Sequence, residues 1–171
     1  MNRYAFVSLV VFFLIQFTVK AQSNNNSPCS AVEYRQFDFW EGNWEVTNPN
    51  GTAAGTNSIE SIQGGCVLKE NWTSATAGYT GTSYNFYNAN KKQWEQIWLD
   101  NQGGSLHLIG HKKGNQMILR TEDFVNGDGK TFYHQITWTA NHDGTVRQLW
   151  ETFTEGADVA VAFNGLYKKK N

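Results

Sequence analysis

The chain has 171 residues, of which 40% are hydrophobic, 15% aromatic and 17% charged, so it can form a folded core and is not intrinsically disordered. Its formal net charge of -1 excludes the strongly basic surface that is typical of nucleic-acid-binding proteins. The length suits one domain. We therefore expect a single, lightly charged domain that binds no nucleic acid.

The first 21 residues have the pattern of a secretory signal peptide. Arg3 gives a positive start, residues 4–19 are almost wholly apolar, and Ala21 is a small residue before a cleavage site at Gln22. The apolar stretch is shorter than the roughly 20 residues that span a bilayer, which disfavours the alternative of a membrane anchor. We predict an exported protein, periplasmic or secreted, with no membrane association after cleavage. The mature chain would carry 12 basic and 15 acidic side chains.

Export also determines how the two cysteines are interpreted. Cys29 and Cys66 can form one disulfide in an oxidising compartment, which would stabilise the fold by about 3–4 kcal/mol through loop closure. Two free buried thiols are the alternative. Residues 22–28 contain no apolar side chain larger than proline, so we expect a flexible lead-in there and a single folded domain over 29–171.

A short helix is predicted at the start of this domain. Ser30 and Glu33 have the spacing of a capping box, in which both side chains bind free backbone amides at a helix N-terminus. The aromatic residues that follow at helical spacing are Tyr34, Phe37 and either Phe39 or Trp40. We expect two or three turns with one aromatic face, ending at Gly42.

After Gly42 the apolar pattern alternates with period two, and turn residues such as Asn126-Gly127 and Asp143-Gly144 recur every eight to twelve positions. Ten strands are predicted, at about 43–48, 55–63, 67–74, 80–88, 92–100, 104–111, 115–124, 130–140, 145–154 and 158–168. Closing such a sheet removes its edges. The predicted fold is therefore all-β, a ten-stranded antiparallel up-and-down barrel with one short N-terminal helix. A two-sheet sandwich is the alternative.

One segment carries a family resemblance. The stretch 37–46, F-D-F-W-E-G-N-W-E-V, resembles the F-D-F-W-x-G-x-W opening of an uncharacterised family of bacterial β-barrel proteins. Further matching segments include 64–66, 70–72, 98–100, 136–139, 147–151 and 163–167. Within the opening, Gly42-x-Trp44 is similar to the G-x-W of lipocalins and other calycins. The resemblance implies a calycin-like barrel whose Trp44 packs against a basic residue of the last strand, and it implies no activity.

The sequence contains no catalytic motif of the nucleophile-elbow, phosphate-loop, dinucleotide or zinc-protease type. His107 and His111 lie on one predicted strand, where they would be about 13 Å apart and could not share a metal ion. We therefore predict no metal site, no cofactor and no catalytic residue, which favours a binding protein over an enzyme.

The positive signal for function is a set of aromatic and polar side chains that alternate onto common strand faces. The predicted ligand-binding residues are Glu70, Trp72, Trp94, Gln96, Trp98 and Trp150. Aromatic surface with a few polar groups is typical of a small-molecule pocket, although a filled core with mutually satisfied polar groups would give the same pattern.

Glu70 and Arg147 are the charged residues that matter most for the nature of such a pocket. An inward Glu70 would need a partner, because a lone buried charge is costly, and without one its pKa would rise. Outward-facing ion pairs are the alternative. The sequence predicts a monomer that binds a small, mainly apolar or aromatic ligand in its lumen; an isomerase or hydrolase using the same lumen and a sugar-binding β-sandwich remain open.

Overall fold

The computed structural model describes residues 28–170. The predicted signal peptide and residues 22–27 lie outside this range. The strands are β1 Gly42–Thr47, β2 Ala53–Ile62, β3 Val67–Ser74, β4 Thr80–Asn88, β5 Gln93–Asp100, β6 Ser105–Lys113, β7 Gln116–Arg120, β8 Phe124–Val125, β9 Thr131–Ala140, β10 Val146–Thr154 and β11 Ala160–Lys169. Within residues 28–170, no helix has the length and apolar character needed to cross a membrane.

Ten of these strands form a closed antiparallel barrel. From β1 to β7, and again from β9 to β11, each strand pairs with the next along the chain, and β7 pairs with β9. The ring closes because β1 also pairs with β11, with Trp44 opposite Lys169. The all-β class and the barrel are confirmed, and the two-sheet sandwich is wrong because the first and last strands are joined by main-chain hydrogen bonds.

The prediction of one continuous strand over 115–124 is wrong at its C-terminal end. β7 stops at Arg120, and Phe124–Val125 forms the separate strand β8, which pairs with β9 alone and lies outside the ring. The interruption falls at buried Thr121, whose hydroxyl accepts a hydrogen bond from the His134 amide and whose own amide donates to the His134 carbonyl. The chain then leaves the ring, forms a hairpin of β8 and β9, and rejoins the ring through β9.

The N-terminal helix is present as two short 3-10 turns, Val32–Arg35 and Asp38–Trp40. The predicted capping box does not form, because the residue before the first turn is Ala31 and no side chain caps it. A break at Phe37 separates the turns. Phe37 and Trp40 are both fully buried in the barrel.

A disulfide between Cys29 and Cys66 joins this N-terminal segment to the connection between β2 and β3, with the two Cα atoms 5.1 Å apart. The predicted bridge is confirmed. Arg35 strengthens the same junction, because its guanidinium donates to the Gly65 carbonyl and pairs with Asp38 at 3.4 Å. The segment is thus held at one end of the barrel by a covalent and a polar link.

The main aromatic core lies at this end, which we call the closed end. Phe37 and Trp40 are fully buried and stack with their ring centroids 5.1 Å apart. Trp138 packs edge-on against Phe37 at 5.2 Å, and Trp94 does so at 5.6 Å. Trp44 donates from its indole nitrogen to the Trp40 carbonyl at 2.9 Å. The N-terminal segment therefore plugs the barrel.

Candidate functional site

The opposite end of the barrel is open, and a cavity of about 340 Å³ extends inward from it. We call this end the open end. The lining residues are Asn48, Ala53, Ala54, Glu70, Trp72, Ser74, Ala75, Thr76, Tyr79, Gln96, Trp98, Leu106, Ile136, Gln148, Trp150, Ala162, Phe163 and Tyr167. Its volume falls in the range that small-molecule sites occupy in proteins.

Five of the six predicted ligand-binding residues line this cavity, namely Glu70, Trp72, Gln96, Trp98 and Trp150. The sixth, Trp94, is not part of the lining. It is 2% exposed, packs on Phe37 and donates from its indole nitrogen to Gln36 at 3.2 Å. Trp94 therefore belongs to the closed end, although it points into the barrel like Gln96 and Trp98.

Glu70 forms the floor of the cavity and is only 3% exposed. The amide nitrogen of Asn57 donates to one carboxylate oxygen at 2.6 Å, and the Ser83 hydroxyl donates to the other at 2.5 Å. Burial raises the pKa of Glu70 to about 7, against the opposing effect of these two hydrogen bonds. The carboxyl group can therefore gain or lose a proton near neutral pH.

A chain of amide and hydroxyl groups holds this floor in place. Gln96 donates from its amide nitrogen to Asn85 at 2.8 Å and to Ser83 at 3.3 Å. Asn85 in turn donates to Ser83 at 2.9 Å and to the Leu68 carbonyl at 3.1 Å. All of these side chains are buried. Because each fixes its neighbour, the Glu70 carboxyl is presented to the cavity in one orientation.

A second polar group reaches the floor from β10 and β11. The Tyr167 hydroxyl donates to the side-chain carbonyl of Gln148 and accepts a weak hydrogen bond from Asn57 at 3.4 Å. Burial, followed by the nearby Glu70 carboxyl, raises the pKa of Tyr167 well above its usual value, so the phenol stays protonated. Because the Tyr167 hydroxyl donates its proton to Gln148, it has no proton to offer a ligand. The amide nitrogen of Gln148, a lining residue, remains at the cavity.

The cavity walls are aromatic and rest on small residues. Trp72 and Phe163 pack edge-on with ring centroids 5.8 Å apart. The Trp98 ring lies on Gly81 of the neighbouring strand, where a Cβ would overlap the indole. Phe163 lies in the same way over Gly165, where a Cβ would come within 2.6 Å of its ring. The glycines thus let the aromatic rings lie flat against the wall and keep the lumen open.

Charge is distributed unevenly around this site. Among the described residues that line the cavity, Glu70 is the one carboxylate, and none is Lys, Arg or His. Arg147 is exposed on the outer face, where it donates to Asn164 at 3.0 Å, so it is not a partner of Glu70. Glu70 itself is buried and lines the cavity, so it points inward, which the sequence had left open.

Three titratable groups stand near the mouth. Tyr79 donates to Asp100 at 3.3 Å, and burial together with that carboxylate raises the pKa of Tyr79. Backbone amides of Gly104 and Gln102 lower the pKa of Asp100, which keeps it charged. His134 packs edge-on against Trp150 at 5.6 Å, and burial lowers its pKa.

Sequence reasoning missed Asn57, Ser83, Asn85 and Tyr167 as members of the site. In β4 the usual pattern of apolar residues inside and polar residues outside is reversed. The aromatic Tyr84 faces outward at 41% exposure, while the polar Ser83 and Asn85 are fully buried. Small polar residues alternating with aromatics over 80–88 were the available signal, since a polar inner face indicates a polar lumen.

Comparison of the chain with protein-family models and with curated proteins gives no match.

Proposed function

We propose that this chain is an exported, monomeric β-barrel protein that binds a small, mainly apolar or aromatic ligand in its lumen. The observation that carries the proposal is the contrast between the plugged closed end and the open end, where a 340 Å³ cavity has aromatic walls and an ordered polar floor. Aromatic walls provide contact area, and a few fixed polar groups orient the ligand.

The cavity wall also carries an unpaired hydrogen-bond donor. The indole nitrogen of Trp150 is buried at the cavity and has no hydrogen-bond partner among the described residues. A buried donor without a partner costs about 1–3 kcal/mol. A ligand with an acceptor at this position would remove that cost.

The calycin-like, up-and-down architecture implied by the family resemblance is part of this proposal. Trp44, the tryptophan of the G-x-W segment, is buried near the closed end, and the Lys169 ammonium of the last strand lies 5.5 Å from its ring centroid. This contact agrees with the implied packing of Trp44 against a basic residue. Export is supported by the disulfide, which is typical of oxidising compartments.

The test is a thermal-shift and calorimetric screen of small apolar and aromatic metabolites, together with native mass spectrometry of protein purified from its own cells. We expect at least one compound to raise the melting temperature, and Trp98→Ala to weaken its binding at least tenfold. Tyr84→Ala, on the outer face of the strand next to Trp98, is the matched control and should bind like wild type. No shift with any compound and no co-purified ligand would refute the proposal.

Glu70 also favours a second candidate, an acid–base enzyme of isomerase type in the same lumen. A carboxyl group with a pKa of about 7 inside a cavity can accept and return a proton at neutral pH. Turnover of a bound carbonyl compound that Glu70→Gln abolishes, with binding retained, would establish this activity. Binding without turnover leaves the ligand-binding function.

A further inference from the structure

The charges and hydrogen-bonding groups at the cavity floor restrict the ligand further than its apolar walls do. Of the described residues in the lining, the Glu70 carboxyl is the one acidic group and no basic side chain is present. A bound anion would therefore meet no counter-ion and would lie near a second carboxylate, Asp100, at the mouth. A cation would be attracted by both groups.

The Glu70 carboxylate at the floor also keeps free acceptor positions. A carboxylate has about four acceptor positions, and the contacts from Asn57 and Ser83 use two of them. Both protons on the Asn57 amide nitrogen point to groups within the floor, Glu70 and Tyr167. A ligand group with several donors would satisfy the two free positions on Glu70, whereas a hydroxyl supplies one donor.

The aromatic walls lie within reach of such a group. Trp72 is two residues from Glu70 on the same face of β3, about 7 Å away along the strand. Trp98 lies in the same cross-strand row, because Glu70 pairs with Ser83 and Ser83 with Trp98, which places it about 10 Å from Glu70. Tryptophan faces attract cations, most strongly where water is excluded.

We propose that the natural ligand carries a protonated amine, held by the Glu70 carboxylate between Trp72 and Trp98, with its apolar body toward the open end. This inference rests on the proposed binding function and specifies the chemical class of its ligand. The ammonium group donates to Glu70, and it supplies the positive charge that the cavity lacks.

The experiment compares matched triads that share an aromatic body and differ in the head group: 2-phenylethylamine, 2-phenylethanol and 3-phenylpropionate, and the same three heads on a naphthyl body. Calorimetry at pH 8 should show the amine binding at least tenfold more tightly than the alcohol, with the carboxylate weakest. Glu70→Gln should remove the preference for the amine, so that the variant binds the amine and the alcohol within about twofold of each other, since the amide keeps the shape of the carboxyl group without its charge.

Glu95→Gln is the matched control. Glu95 is also a buried carboxyl, 5% exposed, but its partners are Asn88, Gln93 and His107, and it is not part of the cavity lining. The same substitution there should leave the preference for the amine unchanged. A loss of preference in both variants would point to a general effect on the fold and would count against the proposal.

The pH dependence of wild type gives a second readout that needs no variant. The amine should bind about tenfold more weakly at pH 6 than at pH 8, because Glu70, with a pKa of about 7, must first lose its proton, and the alcohol should show no such change. The phenols of Tyr79 and Tyr167 stay protonated and Asp100 stays charged over this range. His134, whose pKa is lowered, lies outside the cavity lining.

Equal or tighter binding of the alcohol or the carboxylate would overturn the amine proposal and leave the ligand-binding function intact. Absence of binding by every member of both triads, together with a negative metabolite screen, would remove the ligand-binding function as well.

Discussion

The two ends of this barrel use the same kind of residue for opposite purposes. At the closed end, Trp40 and Trp138 are fully buried and contact other aromatic rings on several sides. At the open end, Trp98 and Trp150 remain partly exposed and face a cavity. The difference comes from the N-terminal segment, which fills one end and leaves the other free. A tryptophan in a barrel is therefore core or binding surface according to what occupies the space beside it.

The largest expected effect is at the closed end. Trp138→Ala should lower the free energy of unfolding by about 3–5 kcal/mol, because the indole is fully buried and its removal leaves a void beside Phe37 and Trp40. Urea denaturation followed by circular dichroism measures the loss. A cost below about 2 kcal/mol would mean that the closed end is less tightly packed than the contacts indicate.

The second-largest loss of stability is expected from removing the disulfide that holds the N-terminal segment at the closed end. Replacing Cys29 and Cys66 together by serine should cost about 3–4 kcal/mol through the greater freedom of the unfolded chain. Urea denaturation of the double variant and of wild type under reducing and non-reducing conditions gives this difference. If wild type unfolds at the same urea concentration with and without reductant, the bridge contributes nothing to stability.

The carboxyl group on the floor of the open end should make stability depend on pH. Because the pKa of Glu70 is raised from 4.5 to about 7 on folding, the folded state binds one more proton than the unfolded state between these values. The contribution of Glu70 to the free energy of unfolding should therefore fall as pH rises, by roughly 3 kcal/mol between pH 4.5 and 7.

Glu70→Gln isolates this effect, because the other titrating groups are common to both proteins. The stability of the variant minus that of wild type should grow as the pH rises from 4.5 to 7 and then level off. A constant difference across this range would show that Glu70 keeps an ordinary pKa in the folded state.

The smallest effect is expected at the cavity wall. Trp98→Ala should cost only about 1–2 kcal/mol, because one side of the ring already faces open space and its removal enlarges an existing cavity. The same denaturation assay that is used for Trp138→Ala provides the comparison. A cost equal to that at Trp138 would mean that Trp98 is a core residue, which would break the distinction between the two ends.

Much of the fold could be predicted because short-range chemistry determines it. Turns rich in Gly, Asn and Asp placed most strand limits within a few residues, and period-two alternation placed Gln96 and Trp98 on one shared strand face. It did not decide whether Glu70 points inward. The disulfide followed from there being only two cysteines in a chain predicted to be exported. The strand break at Thr121 was missed, because it depends on contacts with β9 that a local pattern does not reveal.

Depth along the barrel axis could not be predicted. Alternation tells which face of a strand a residue occupies, but Trp94 and Trp98 share a face and lie about 13 Å apart along it. One belongs to the closed end and the other to the cavity. Deciding between them requires knowing that the N-terminal segment enters the barrel beside Trp94, which is a tertiary contact between residues about 60 positions apart in sequence.

The glycines beneath the cavity walls set the width of the lumen. A single methyl group at Gly81 would push the Trp98 ring into the lumen, and one at Gly165 would do the same to Phe163. Neither change would alter a side chain that lines the cavity. The lumen can therefore be narrowed stepwise from behind its walls, by substitutions that a survey of cavity-lining residues would overlook.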